Sequence, residues 1–111
     1  MANEYVYVKD VREQAQAPEN GILSRTLHND ERSKTILFGF AAGQELSAHT
    51  APFPATLTFL KGEAGVRLGQ EHQEAGEGTF IYMTPYLEHG IHAKTDVVML
   101  LTMVKGVAPA K

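Results

Sequence analysis

The fold class is decided by the stretch Ala55-Thr-Leu-Thr-Phe-Leu-Lys61-Gly-Glu-Ala64-Gly-Val-Arg-Leu68. In its first half apolar residues alternate with threonines, so Ala55, Leu57 and Phe59 would share one face of a strand. Gly62 follows where a tight turn needs a residue that tolerates a positive φ. The stretch therefore predicts a β-hairpin whose first strand has one buried face.

The same pattern extends outward over most of the chain. From Ile22 onward, short apolar runs alternate with Gly, Asn, Asp or Pro at intervals of about ten residues, which is typical of an all-β sandwich or barrel. The residues from Lys9 to Ala17 look helical, and Pro18 would end that helix. The predicted strands are Tyr5–Val8, Ile22–Leu27, Ser33–Ala41, Leu46–His49, Ala55–Lys61, Ala64–Leu68, Thr79–Met83, His89–Ala93 and Val97–Val104.

These elements predict an all-β jelly roll or β-barrel that forms one domain. The barrel would span residues 22–105, after an N-terminal segment over residues 1–21 that holds a short strand and a helical turn. Residues 106–111 would form a C-terminal tail. The length of 111 residues suits a single compact domain.

Composition excludes several function classes. The chain has no cysteine, which removes disulfides, thiolate nucleophiles and cysteine-based metal sites. Ten basic and thirteen acidic residues give a net charge of -3, without the basic run that a nucleic acid partner favours. No apolar stretch reaches the roughly 18 residues of a membrane helix, and the N-terminus lacks a signal-peptide pattern. We therefore expect a cytoplasmic protein without nucleic acid or membrane partners.

Two further segments carry a more specific pattern. The first runs from Gly43 through His49 to Gly62, and the second is Gly78-Thr-Phe-Ile-Tyr-Met-Thr-Pro85-Tyr-Leu-Glu-His89. Together they resemble the two motifs of the cupin superfamily, and in particular its small single-domain members of the cupin 2 conserved-barrel type. The resemblance implies a cupin-type barrel and a site that holds one divalent metal ion such as Mn, Fe, Ni or Zn.

The metal motif of that family is only half present. His49 and His89 match two of its histidine ligands, whereas Ala51 and Ala55 occupy the positions of a second histidine and a glutamate. A catalytic metal site usually has three protein ligands and one open position. The resemblance therefore implies a metal site at His49 and His89 with an incomplete set of ligands.

Strand geometry offers no easy third ligand. Glu45 would share the face of His49 in a straight strand, but four residues at about 3.3 Å each put it roughly 13 Å away. Glu88 and His92 would lie on the face opposite to His89. The sequence does not determine the pairing register of the strand that contains Tyr82, so this side chain could face inward or outward.

Two functions follow from these residues, and whether the chain is an enzyme stays open. In the first, the barrel interior binds a small organic ligand, because the two alanines make the pocket wider and more apolar. In the second, a metal held by His49 and His89 supports a dioxygenase- or isomerase-like reaction. The predicted pocket residues are Ala51, Phe53, Ala55, Leu57, Phe59 and Tyr82.

We also expect a homodimer. The strand Val97–Val104 is apolar on both faces, and the segment Tyr5–Val8 would leave an exposed strand edge in a monomer. A second copy of the chain would cover both.

Overall fold

The computed structural model describes residues 4–105, which contain nine β-strands and one short 3-10 turn. Residues 106–111, predicted to be a tail, lie outside the described residues. The strands are β1 (Ile22–Asn29), β2 (Ser33–Phe40), β3 (Glu45–His49), β4 (Ala55–Lys61), β5 (Ala64–Leu68), β6 (Glu71–Ala75), β7 (Phe80–Met83), β8 (His89–Ala93) and β9 (Val97–Val104).

The strands form two antiparallel sheets. One has the order β1-β2-β9-β4-β7 and the other the order β3-β8-β5-β6. The all-β jelly-roll prediction is therefore confirmed. No helix among residues 4–105 has the length and apolar character needed to cross a membrane.

The core lies between the inner faces of the two sheets. In β4 the buried residues are Ala55, Leu57 and Phe59, as the alternation predicts. From the other sheet, Val66 and Ile91 pack against them. At the β4–β5 turn, Gly62 has a φ of 86°, and a Cβ there would lie 2.0 Å from the Asp96 carbonyl oxygen. Only glycine fits this turn.

The N-terminal segment differs from the prediction in two ways. The helix expected from Lys9 to Ala17 is a single 3-10 turn, Val11–Gln14, which Asp10 caps. The segment lies flat on the outer face of the first sheet, so close that a Cβ on Gly39 would meet the Ala15 carbonyl oxygen at 2.0 Å. Tyr5–Val8 does not form the predicted strand, because no strand of the described chain pairs with it.

The sequence pattern also missed β6. Its residues Glu71–Glu74 are polar and exposed, so they show no apolar alternation, and the strand forms by backbone pairing with β5. The doubly apolar β9 is the central strand of its sheet. Its outward Val98 packs in a cluster with Ala15 of the N-terminal segment, so at that position the chain itself provides the cover.

Candidate functional site

The two motif histidines meet at one end of the barrel. His49, at the end of β3, lies opposite His89, the first residue of β8. Their ring centroids are 4.4 Å apart, and the ring planes are inclined by 54°. His89 is buried, whereas His49 is exposed at the rim. The pairing of β3 with β8 therefore brings together two histidines that are forty positions apart in the sequence.

A β-bulge in β3 turns His49 toward His89. Leu46 pairs with Ile91 and His49 with His89, so three steps along β3 match two along β8. In a regular ladder Ala48 would lie opposite His89, and His49 would point to the outer face. The extra residue reverses the alternation and re-aims the His49 imidazole.

Gly90 makes room for this bulge. A Cβ at Gly90 would lie 3.1 Å from both the Ala48 nitrogen and the Leu46 carbonyl oxygen. Both neighbours are backbone atoms, which cannot move aside as a flexible side chain does. Glycine at this position lets the bulged segment approach β8 closely.

Both imidazoles are held in the same tautomer. Nδ1 of His49 lies 2.9 Å from the Ser47 carbonyl oxygen, and Nδ1 of His89 lies 2.9 Å from the Leu87 carbonyl oxygen. A carbonyl oxygen only accepts hydrogen bonds, so Nδ1 must donate in each ring. In the neutral rings Nε2 is then an acceptor, and within residues 4–105 no hydrogen bond engages it.

The histidine pair lies beside an apolar cavity of about 170 Å³ between the sheets. Four of the six residues named from the sequence line it: Ala51, Phe53, Ala55 and Leu57. The histidines and Thr84 supply its polar groups, and the remaining lining is apolar: Ile36, Phe38, Leu46, Met83, Leu87, Ile91, Met99, Leu101 and Met103.

Two predicted pocket residues lie elsewhere. Phe59 is fully buried in the core, deeper along β4 than the cavity. Tyr82 is exposed on the outer face, because the register of β7 on β4 turns its neighbours Ile81 and Met83 inward. The methionines and leucine of β9 were missed as lining residues. Met99, Leu101 and Met103 are spaced two residues apart and so share one face of β9, and this spacing was the signal that could have found them.

Two loops frame the mouth of the cavity. The Tyr86 backbone nitrogen donates a hydrogen bond of 2.7 Å to the Ala51 carbonyl oxygen, which ties the β7–β8 loop to the β3–β4 loop. Tyr86 has a φ of 67°, uncommon for a bulky residue, and its side chain is exposed. The tie fixes Phe53 and Leu87 at the rim.

In the part of the chain that the structure describes, no third metal ligand joins the pair. Glu45 lies opposite the exposed His92 on the outer face, whereas the bulge turns His49 inward, so the two side chains do not share a face. Glu88 is 2.9 Å from Arg67 in an ion pair. Within residues 4–105 no group of three or more His, Cys, Asp or Glu side chains is placed to hold a metal ion.

A wider groove of about 640 Å³ runs beside the N-terminal segment. Arg12, Lys61 and Asp96 border it, and Asp96 already accepts a hydrogen bond from the Ala42 backbone nitrogen. None of these charged side chains is buried. We therefore place the candidate site at the apolar cavity, where polar groups converge on an enclosed space.

No family model matches the chain, and no curated protein matches it. Among solved structures, a conserved protein of unknown function from Streptococcus pyogenes shares 30% sequence identity, with a TM-score of 0.83 over 98% of this chain and 93% of that one. A cupin superfamily protein from Desulfitobacterium hafniense has a TM-score of 0.83 at 21% identity, over 90% of this chain and 94% of that chain.

A cupin 2 conserved barrel domain protein from Leptotrichia buccalis is 26% identical with a TM-score of 0.79. It aligns over 85% of this chain but 46% of its own length, so this chain corresponds to about half of that protein. The arrangement of the two facing antiparallel sheets agrees with these structures. The chain belongs to the cupin superfamily.

Proposed function

We propose that this small cupin binds a small, mostly apolar organic molecule in the barrel cavity, with one polar group of the ligand directed at His49 and His89. The observation that carries the proposal is the pair of oriented imidazoles beside an otherwise apolar space. An enclosed apolar pocket with a few convergent polar groups is the usual form of a small-molecule site.

The size of the cavity limits the ligand. Its volume of about 170 Å³ is close to that of an apolar cavity that accepts benzene, roughly 150 Å³. A ligand of about six to ten non-hydrogen atoms fits such a space. Drug-sized pockets, at about 300–1,000 Å³, are considerably larger.

The tautomers limit the chemistry of the polar group. Because Nδ1 of each ring donates to a backbone carbonyl, Nε2 of a neutral ring can only accept a hydrogen bond. The ligand should therefore present a donor such as a hydroxyl group. A neutral hydrogen bond contributes about 0.5–1.5 kcal/mol, or about a two- to twelvefold gain in affinity.

Phenol and toluene test this proposal because they differ only in the ring substituent, which is a hydroxyl group in phenol and a methyl group of similar size in toluene. We expect phenol to bind the protein about two- to twelvefold more tightly than toluene, measured by NMR titration. The preference should be lost in His89→Ala and kept in the matched control His92→Ala, which changes an exposed histidine of the same strand. Equal affinities for the two probes in the parent protein would contradict the proposal.

The hydrogen bonds at Nδ1 favour one second candidate, a metal-dependent enzyme of dioxygenase- or isomerase-like activity. Metal-binding histidines usually donate their other ring nitrogen to a carbonyl or carboxylate, as both rings do here. A bound divalent ion would supply Lewis-acid or redox chemistry. The described residues offer two protein ligands where a catalytic site usually has three, so they fit a weakly held ion.

Metal analysis separates the two candidates. Protein purified without a histidine tag should contain little metal, and calorimetry with Mn²⁺, Ni²⁺ and Zn²⁺ should show weak binding that His49→Ala or His89→Ala abolishes. His92→Ala serves as the control that retains it. A stoichiometric ion that survives dialysis against a chelator would favour the metal enzyme over the metal-free binding protein.

A further inference from the structure

The turn between β7 and β8 has a tyrosine at a position where glycine is usual. The Leu87 backbone nitrogen donates a hydrogen bond of 3.3 Å to the Thr84 carbonyl oxygen, which closes a four-residue turn. Pro85 in the second position and a positive φ of 67° at Tyr86 in the third are the pattern of a type II turn. The third position of that turn favours glycine or asparagine. Tyr86 therefore has a backbone conformation that its own side chain disfavours.

Packing does not compensate for this strain. Bulky residues are rare in the left-handed region because the Cβ comes too close to the following carbonyl oxygen. The Tyr86 side chain is 68% exposed, so burial of its ring contributes little. Among residues 4–105 the other non-glycine residue with a positive φ is Asn20, and asparagine tolerates this region. Strained residues such as Tyr86 cluster at active sites and ligand clamps.

The strained turn borders the mouth of the cavity. The Tyr86 backbone nitrogen donates its hydrogen bond of 2.7 Å to the Ala51 carbonyl oxygen in the facing loop. On either side of Tyr86, Thr84 and Leu87 line the cavity, and Phe53 lines it from the facing loop. The exposed ring of Tyr86 is therefore anchored at the rim, although it does not line the cavity itself.

The same turn lies next to the histidine pair. The Leu87 carbonyl oxygen accepts the hydrogen bond of 2.9 Å from Nδ1 of His89, so the turn helps to fix that ring. A ligand whose hydroxyl group reaches the histidines has its ring in the cavity and its hydroxyl group near the mouth. A substituent on the neighbouring ring atom would then leave the cavity on the side of the rim.

We propose that Tyr86 contacts the ligand and determines specificity, with its ring packed on a planar group that projects from the mouth beside the ligand's hydroxyl group. This inference rests on the proposed function and adds that the ligand extends beyond its enclosed part. The cavity of about 170 Å³ holds about six to ten non-hydrogen atoms, so a second ring stays outside. The ligand class is hydroxylated aromatic compounds with an aromatic substituent beside the hydroxyl group.

Ortho-phenylphenol and phenol are the probes for this contact. An aromatic pair contributes about a two- to twelvefold gain in affinity beyond the burial of its surface. The ratio of the two affinities, measured by NMR titration, should therefore fall about two- to twelvefold in Tyr86→Gly. It should be kept in Tyr86→Phe, which retains the ring. The matched control is Asn20→Gly, which changes the other positive-φ residue and borders the wider groove instead of the cavity.

Thermal denaturation tests the strain itself. Tyr86→Gly should raise the Tm by roughly 3–6 °C, because relief of the left-handed strain exceeds the freedom that glycine adds to the unfolded chain. Asn20→Gly should raise it less, because asparagine tolerates this conformation. A substitution that stabilises the fold and weakens binding is expected at a functional site.

The outcomes separate this inference from the proposed function. A parent protein that binds phenol no more tightly than toluene would refute the proposed function and the role of Tyr86 with it. A parent that prefers phenol, with the same ratio of ortho-phenylphenol to phenol affinity in Tyr86→Gly, would overturn only the role of Tyr86. A Tm that falls in Tyr86→Gly would also overturn this role, because the tyrosine would then stabilise the fold.

Discussion

Replacing Gly90 by alanine should destabilise the protein and displace His49. The added Cβ would lie 3.1 Å from the Ala48 nitrogen and the Leu46 carbonyl oxygen, so the bulge in β3 must move away from β8. Overpacking of this kind destabilises a protein by about 1–3 kcal/mol. Alanine also gives the unfolded chain less conformational freedom than glycine does, which offsets about 0.4–1 kcal/mol of that loss. The midpoints of these two ranges, about 2 and about 0.7 kcal/mol, give an expected net loss of about 1.3 kcal/mol.

Gly65 provides a matched control in the adjacent strand of the same sheet. A Cβ at Gly65 meets only the Lys94 Cε, at 3.9 Å, which is an ordinary contact. Gly65→Ala should therefore be neutral or stabilising by about 0.4–1 kcal/mol. The two alanine variants place the same methyl group on neighbouring strands, and they differ in the room available to it.

Thermal and urea denaturation measure the difference. A loss of 1–2 kcal/mol lowers the Tm of a domain of this length by roughly 4–9 °C. The preference for phenol over toluene should also fall in Gly90→Ala, because the His49 imidazole moves with the bulge. If Gly90→Ala is as stable as Gly65→Ala and keeps that preference, the bulge does not depend on glycine and the reasoning is refuted.

Two further predictions concern the core and the β1–β2 turn. Phe59→Ala should lower the free energy of unfolding by about 3–5 kcal/mol in urea titrations, because the ring is fully buried; a loss below 1.5 kcal/mol, about the upper limit for a volume-conserving core exchange, would contradict its place in the core. The Ser33 and Arg32 backbone nitrogens, at 3.0 and 2.8 Å, donate to Asp30 and lower its pKa. This stabilisation is present above the unfolded carboxyl pKa of about 3.9 and is lost as the pH falls through the lower folded value. Asp30→Asn should therefore have a lower Tm than the parent at neutral pH and approach it near pH 2; a Tm gap that does not change with pH would contradict this origin.

The sheet framework could be predicted because it depends on local rules. Alternation in β4 identified Ala55, Leu57 and Phe59 as buried, and Gly62 marked the turn that follows them. Each of these signals lies within a few residues of the feature that it predicts. The hairpin needed no information about the rest of the chain.

The site was only partly predictable because it depends on register. The spacing of the motifs identified His49 and His89, but the bulge that brings them together involves close backbone contact between β3 and Gly90. The position of Tyr82 depends on how β7 pairs with β4, which its own sequence does not specify. β6 was not predicted because its exposed polar residues show no alternation of apolar and polar side chains.

The bulge in β3 also bears on how the length of this strand can vary during evolution. His49 can face inward in two ways: in the present strand with its extra residue, or in a regular ladder that is one residue shorter. Deleting a single codon at Ser47 or Ala48 would leave His49 two steps after Leu46, opposite His89 and on the inner face. The histidine pair can therefore survive the loss of the extra residue, whereas a strand of the present length without the bulge would turn His49 to the outer face.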